Sequence, residues 1–289
     1  MVKSSSKEGF RLKKLNIYGC VILSVGLISF RALAADDESP APVAGGKAAL
    51  VAYYGDKKSS AWQGAAQGLK EANQQGEFLG QSFKLEQTTD VQAIKNKHPV
   101  AVIAATDAAD LRKLAAALPG IAVLNVARDD DSLREQCSAN LLHVLPSRAM
   151  KRDAEAQWLK KNPHSKAVAR AWHHTAEKYS ATQLNDRFEK AYHKPMDDAA
   201  WAGWAAMKML GDTIIRVQGA DPAAVLDFLK TQLKFDGQKG IEMNFRANGQ
   251  LRQPLMLVEG DKLVGEAPVK GVARGVEDLD SLGNVECKQ

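Results

Sequence analysis

The sequence lacks every compact motif that announces catalysis: its 289 residues contain no G-x-S-x-G elbow, G-x-G-x-x-G or G-x-x-x-x-G-K-[ST] loop, H-E-x-x-H or C-x-x-C. Ser4 and Lys7 have Ser-Lys spacing but lie in a leader-like segment. Cysteine is scarce, with only Cys20, Cys137 and Cys287, which excludes a disulfide-dense scaffold or a thiolate metal cluster. The most apolar stretch, Ile17 to Phe30, has 14 residues, short of the roughly 20 that cross a bilayer. Composition is otherwise ordinary, 45% hydrophobic and 25% charged, and excludes collagen-like or wholly disordered chains.

What is present begins with charge. The net +5 suggests an anionic partner until it is located. Residues 1–34 hold six of the 39 basic residues and one of the 34 acidic ones, so the remainder carries 33 of each sign. Neutrality removes the long-range electrostatic case for nucleic acid, and no nucleic-acid partner is expected. Lys3, Lys7, Arg11, Lys13 and Lys14 precede the apolar run, and Ala32-Leu33-Ala34 follows it. This pattern predicts a signal peptide cleaved between Ala34 and Ala35, and a periplasmic destination. An uncleaved anchor is the lesser alternative. In that oxidising compartment Cys137 and Cys287 are expected to pair and to tie the C-terminal tail to the body. Two unpaired thiols are the alternative.

After a Pro/Gly-rich linker over 35–46, apolar runs alternate with helical patterns. Ala48 to Tyr54, Phe83 to Thr88, Pro99 to Ala105 and Ile121 to Val126 read as strands, and Leu141 to Leu145 as a fifth. Ser60 to Gly76 and Ala108 to Leu118 read as helices. Continuous apolar strands separated by helices predict an α/β doubly wound parallel sheet. Helices are then expected at 147–160, 176–191, 197–217 and 222–233. Short strands are expected at 241–245, 254–259 and 262–265, joined by turns at Asn248-Gly249 and Gly260-Asp261, giving C-terminal β-hairpins.

In an open α/β sheet, ligands bind beyond the carboxyl ends of the strands. That rule selects Tyr54 and Asp56, Thr106 and Asp107, and Arg128 and Asp129 as candidate ligand-binding residues. Turn and cap chemistry explains each of them at least as well. His173 and Glu177, at i,i+4 on the expected helix with His174 between them, are a weak metal pair. Asp129-Asp130-Asp131 lacks calcium-loop spacing and reads better as a cap for a helix at 133–136. No metal, cofactor or catalytic residue is assigned. Trp62, Trp158, Trp201 and Trp204 fall on apolar helix stripes, whereas Trp172 falls between elements and is expected to be exposed or at a cleft.

Four blocks carry a resemblance: 125–134 (NVARDDDSLR), 137–150 (CSANLLHVLPSRAM), 181–188 (ATQLNDRF) and 248–255 (NGQLRQPL). They resemble the type I periplasmic solute-binding proteins of the branched-chain amino-acid-binding class. In particular they resemble the ABC-transporter substrate-binding components of PQQ-dependent alcohol dehydrogenase systems. The resemblance implies non-enzymatic binding of a small organic solute between two α/β lobes. It also makes transporter membrane subunits, a periplasmic quinoprotein dehydrogenase or a second copy (a homodimer) candidate partners. Only 24 residues separate Ser147 from Trp172, fewer than one strand-crossover-strand unit needs. The division expected is therefore lobe 1 at 47–146, a remnant of lobe 2 at 147–174, helices returning to lobe 1 at 175–235, and hairpins with a tail at 236–289. A periplasmic interaction protein that has lost ligand trapping is the alternative function.

Overall fold

The structure, a computed structural model, describes residues 48–283 and Cys287. The leader, the cleavage point and the linker lie outside the described residues. Among the described residues no helix is long and apolar enough to cross a membrane.

Five strands form a parallel sheet: β1 (Ala49–Gly55), β2 (Phe83–Thr88), β3 (Ala101–Ala105), β4 (Ala122–Asn125) and β5 (Leu141–His143), in the order β2-β1-β3-β4-β5. Their side chains divide by parity. Val51, Tyr53, Ala101, Ile103, Ala122 and Leu124 face one core, while Ala52, Val102, Ala104 and Val123 face the other. Burial on both faces accounts for strands that are continuously apolar rather than alternating. The second face is covered by α2 (Val91–Lys97) and α3 (Ala108–Ala117), the first by α1 (Ser60–Glu77), α7 (Asp198–Arg216) and α8 (Pro222–Thr231).

Helices α1 and α7 approach unusually closely. A Cβ on Gly64 would strike the Ala200 carbonyl, and one on Gly203 the Ala61 carbonyl. Small residues at these crossings let the backbones touch, and 13 of the 19 residues of α7 are buried. Asp197 starts α7 by accepting the Ala200 N–H at 2.8 Å, and Asp107 starts α3 by accepting from Asp110 N at 2.9 Å.

A smaller layer follows. Helix α5 (Arg148–Lys161) packs on an antiparallel sheet of β6 (Val168–Arg170), β7 (Leu255–Glu259) and β8 (Lys262–Ala267), in the order β6-β7-β8. Leu255 and Leu257 meet Met150 and Ala154 on the α5 side, while Met256 and Val258 face the main core. The β7–β8 hairpin turns at Gly260-Asp261 as expected.

Two sequence expectations need correction. The helix expected from 176 starts five residues later, as α6 (Ala181–Tyr192). Tyr179 and Ser180 take left-handed backbone angles, φ 55° and 68°, and Asn185 Nδ2 donates to the carbonyls of His174 and Ala176 in place of helical N–H groups. Residues 241–245 form no regular strand, only isolated bridges from Phe235 to Met243 and from Phe245 to Leu251. The turn at Asn248-Gly249 is present, and it is pressed against the edge of the main sheet: His143 N donates to Gly249 O at 2.7 Å and Leu251 N to His143 O at 3.0 Å. Gly249 has φ +77°, and a Cβ there would strike the Leu141 carbonyl, so glycine is required on both counts.

Candidate functional site

The junction between the two layers is polar and buried. Asn125, at the end of β4, accepts from Ala127 N and Arg128 N through Oδ1, which leaves Nδ2 to donate to Arg128 O and to His143 Nδ1 at 3.0 Å. Burial and the neighbouring Arg134 hold the His143 imidazole well below its usual pKa. Arg134, 4% exposed, lies on the short helix α4 (Ser132–Glu135) and donates to Gln250 Oε1 and to the carbonyls of Arg128, Asp130 and Leu145. Gln250 in turn donates to the carbonyls of His143, Leu145 and Leu251. Three of the four blocks that carry the resemblance meet in this network. The fourth supplies Asn185, which orders the 174–176 turn. The blocks are therefore joints of the fold.

Asp129, Asp130 and Asp131 hold α5 rather than α4, a correction to the cap expected at 133–136. Asp131 accepts from Ala149 N and Arg152, Asp129 from Arg148 and Lys151, and Asp130 from Arg128. Acidic groups at the first turn of α5 suit its N-terminal partial charge. Burial raises the Asp129 carboxyl, but Lys151 and Arg148 outweigh it and hold the group below its usual value. The cystine is formed: Cys137 and Cys287 are bonded with Cα atoms 5.7 Å apart, across 150 positions of sequence.

The six residues selected from the strand ends lie along the carboxyl edge of the main sheet. Asp56 accepts from Lys58 N, Asp107 caps α3, Arg128 pairs with Asp130, and Asp129 pairs with Arg148 and Lys151. Tyr54 is half-buried in the second core, and Thr106 follows β3. None of them lines the cavity beside the small sheet.

That cavity, about 560 Å³, opens between the 175–179 turn, the 238–239 turn and the β7–β8 hairpin. A second, of about 340 Å³, adjoins it through Tyr179, Lys239, Pro254 and Glu266, so the two form one groove. Tyr179, Val264 and Val276 are exposed apolar surface along it. Lys239 forms its floor. Only 6% exposed, its ammonium donates to Gln253 Oε1 at 2.8 Å and Pro254 O at 3.1 Å, and lies 3.9 Å from the centre of the Trp201 ring. No carboxylate among the described residues is within ion-pair distance of it, and burial lowers its pKa to about 7 against weaker support from Asp198 and Glu266. Gln253 Nε2 donates to Val144 O, which links this floor to the main sheet.

Trp172 corrects a further expectation. It is 1% exposed, stacked on Trp201 at 6.1 Å, with its Nε1–H donated to Asn185 Oδ1. The His173/Glu177 pair also fails, because no helix spans those residues. His173 and His174 instead face Asp261, at 3.5 and 3.7 Å.

Comparison with solved structures places this architecture. A periplasmic ligand-binding protein of a branched-chain amino acid ABC transporter from Burkholderia xenovorans superposes with a TM-score of 0.65 at 12% identity, covering 75% of this chain and 94% of its own. The fold is that of the type I periplasmic binding proteins. A leucine-, isoleucine-, valine-, threonine- and alanine-binding protein from Brucella ovis gives a TM-score of 0.64 at 9% identity (74% and 90% covered). A solute-binding protein from R. palustris in complex with benzoate gives 0.61 at 13% (75% and 95%). No family model matches the sequence, and neither does any curated protein.

Proposed function

We propose that the protein is a periplasmic solute-binding protein of an ABC transporter, and that its solute is a small organic molecule bearing a carboxylate, held in the groove over Lys239. The observation that carries this reading is the buried lysine at the floor of the groove, with no carboxylate among the described residues within ion-pair distance. A cation kept out of water without a counter-charge is costly, and an anionic solute would supply that charge. The apolar walls, Met256, Leu263 and Val264, suit a hydrocarbon body. Solved proteins of this fold, at low identity, include ones bound to leucine and to benzoate. Export to the periplasm rests on the leader pattern. Association with PQQ-dependent alcohol oxidation rests on the four sequence blocks.

Thermal unfolding of the mature protein titrated with short alcohols, aldehydes, carboxylates, branched-chain amino acids and PQQ tests the reading. A saturable rise in Tm confined to carboxylate-bearing compounds is expected. A flat response to all five classes contradicts it.

A second reading is favoured by one observation. Met256 and Val258 of the small sheet belong to the main core, so that sheet is not a lobe free to close over a solute, and Tyr179, Val264 and Val276 stay exposed. On this reading the groove contacts a transporter subunit, a quinoprotein dehydrogenase or a second copy. Concentration-dependent self-association or co-purification of such a partner, with a flat solute response, would favour it.

A further inference from the structure

We propose that His173, His174 and Asp261 form a binding site for a divalent transition-metal ion of the zinc class, built between the turn after β6 and the tip of the β7–β8 hairpin. One donor atom from each lies within 4.8 Å of the others. The His173 and His174 Nε2 atoms stand 3.5 and 3.7 Å from one Asp261 oxygen. Ligands bonded to tetrahedral zinc at 2.0–2.1 Å are separated by roughly 3.3 Å, so both histidine–aspartate pairs are already near that spacing, and binding an ion asks only that the donor atoms, all within 4.8 Å of one another, draw together.

The surroundings support the assignment. The far nitrogen of His173, Nδ1, is 2.8 Å from Thr175 Oγ1. The Thr175 contact fixes the ring with Nε2 toward Asp261; with metal on Nε2, Nδ1–H would donate to Thr175 Oγ1 in place of accepting from Thr175 N at 3.4 Å. The two histidine rings are adjacent, 4.4 Å between centroids. Asp261 is 81% exposed, which leaves room for a fourth ligand from solvent. Two imidazoles with one carboxylate suit zinc, copper or nickel and disfavour magnesium and calcium, which prefer all-oxygen shells. The two segments bridged are far apart in sequence, so a bound ion would staple the hairpin to the body. Leu263 N already donates to Thr175 Oγ1 across the same gap, at 3.3 Å.

The test uses untagged mature protein stripped with chelator and titrated with ZnCl2 by calorimetry, with bound metal counted by mass spectrometry. One equivalent of zinc is expected, undisplaced by excess Mg²⁺, together with a rise in Tm. His173→Ala, His174→Ala and Asp261→Ala should each weaken binding at least about tenfold. His164→Ala, which removes an exposed imidazole elsewhere, should leave binding unchanged. Because Asp261 sits at an exposed turn, Asp261→Ala is expected to fold, as circular dichroism will check. No saturable uptake, displacement by Mg²⁺, or wild-type affinity in any of the three ligand variants would overturn the proposal.

Discussion

The two faces of the small antiparallel sheet meet very different surroundings. Toward α5 the contact is hydrocarbon: Leu255 and Leu257 on Met150 and Ala154. Toward the main body the apolar contact is interrupted by Lys239, Gln253, Gln250 and Arg134, all buried: Arg134, Gln250 and Gln253 donate to backbone carbonyls at or just beyond the ends of the parallel strands, and Lys239 reaches them through Gln253. The α1–α7 face of the main sheet is the other extreme, with glycine and alanine letting two helices touch. Apolar contacts depend on volume, whereas the polar junction depends on every donor finding its acceptor. The difference teaches where this fold is rigid by packing and where it holds a potential for binding.

Predictions follow from pressing on each side of that contrast. The strongest tie between the tail and the body is the cystine. Replacing both cysteines by serine should cost up to ~5 kcal/mol on the chain-entropy model for a 150-position loop, read by denaturant unfolding. Arg134→Met leaves Gln250 and three carbonyls short of a donor, and a loss of about 3 kcal/mol is expected. On the apolar side, Gly64→Ala drives a methyl group into the Ala200 carbonyl and should cost roughly 1–3 kcal/mol. If Gly64→Ala proved harmless while Arg134→Met did not, the α1–α7 contact would be looser than its geometry shows.

A change of pH tests the junction without altering a residue. Lys239 has a folded pKa of about 7 against an unfolded value of ~10.4. Between these values the unfolded chain binds one more proton than the folded one, so this group makes stability rise with pH, by up to about 1.4 kcal/mol per pH unit. Below pH ~7 both states are protonated and the slope from this group vanishes. Lys239→Met should remove that component, so its stability relative to wild type should be greatest near pH 6 and decline toward pH 10. Urea denaturation at four pH values reads the difference, and an unchanged pH profile would show that Lys239 does not titrate in this window.

The parallel sheet was legible because each strand is an unbroken apolar run and the helix starts carry aspartate or serine caps, as at Asp107, Asp197 and Asp221. Failures came where a distant partner decides. Trp172 reads as a residue between elements, yet Asn185 and Trp201 bury it. The helix expected at 176 is cut short by Tyr179 and Ser180, whose left-handed angles no propensity announces. Residues 129–131 carry a cap pattern for the nearest helix, but the basic side chains of α5 claim their carboxylates. Lys239 sits in a Gly-Gln-Lys-Gly turn that any reading makes solvated. Its burial depends on Trp201, 38 positions earlier, and on Gln253, 14 later. The strand-end rule selected an edge whose polar groups serve caps and ion pairs, while the groove is built from turns that carry no motif.

The groove and the strand edge can be separated by one measurement: solute affinity, by calorimetry, in wild type, in Lys239→Met and in a Thr106→Val/Arg128→Ala double variant. Lys239→Met is expected to abolish saturable binding of the carboxylate solute while the double variant binds as wild type does. Binding retained in Lys239→Met and lost in the double variant would contradict this.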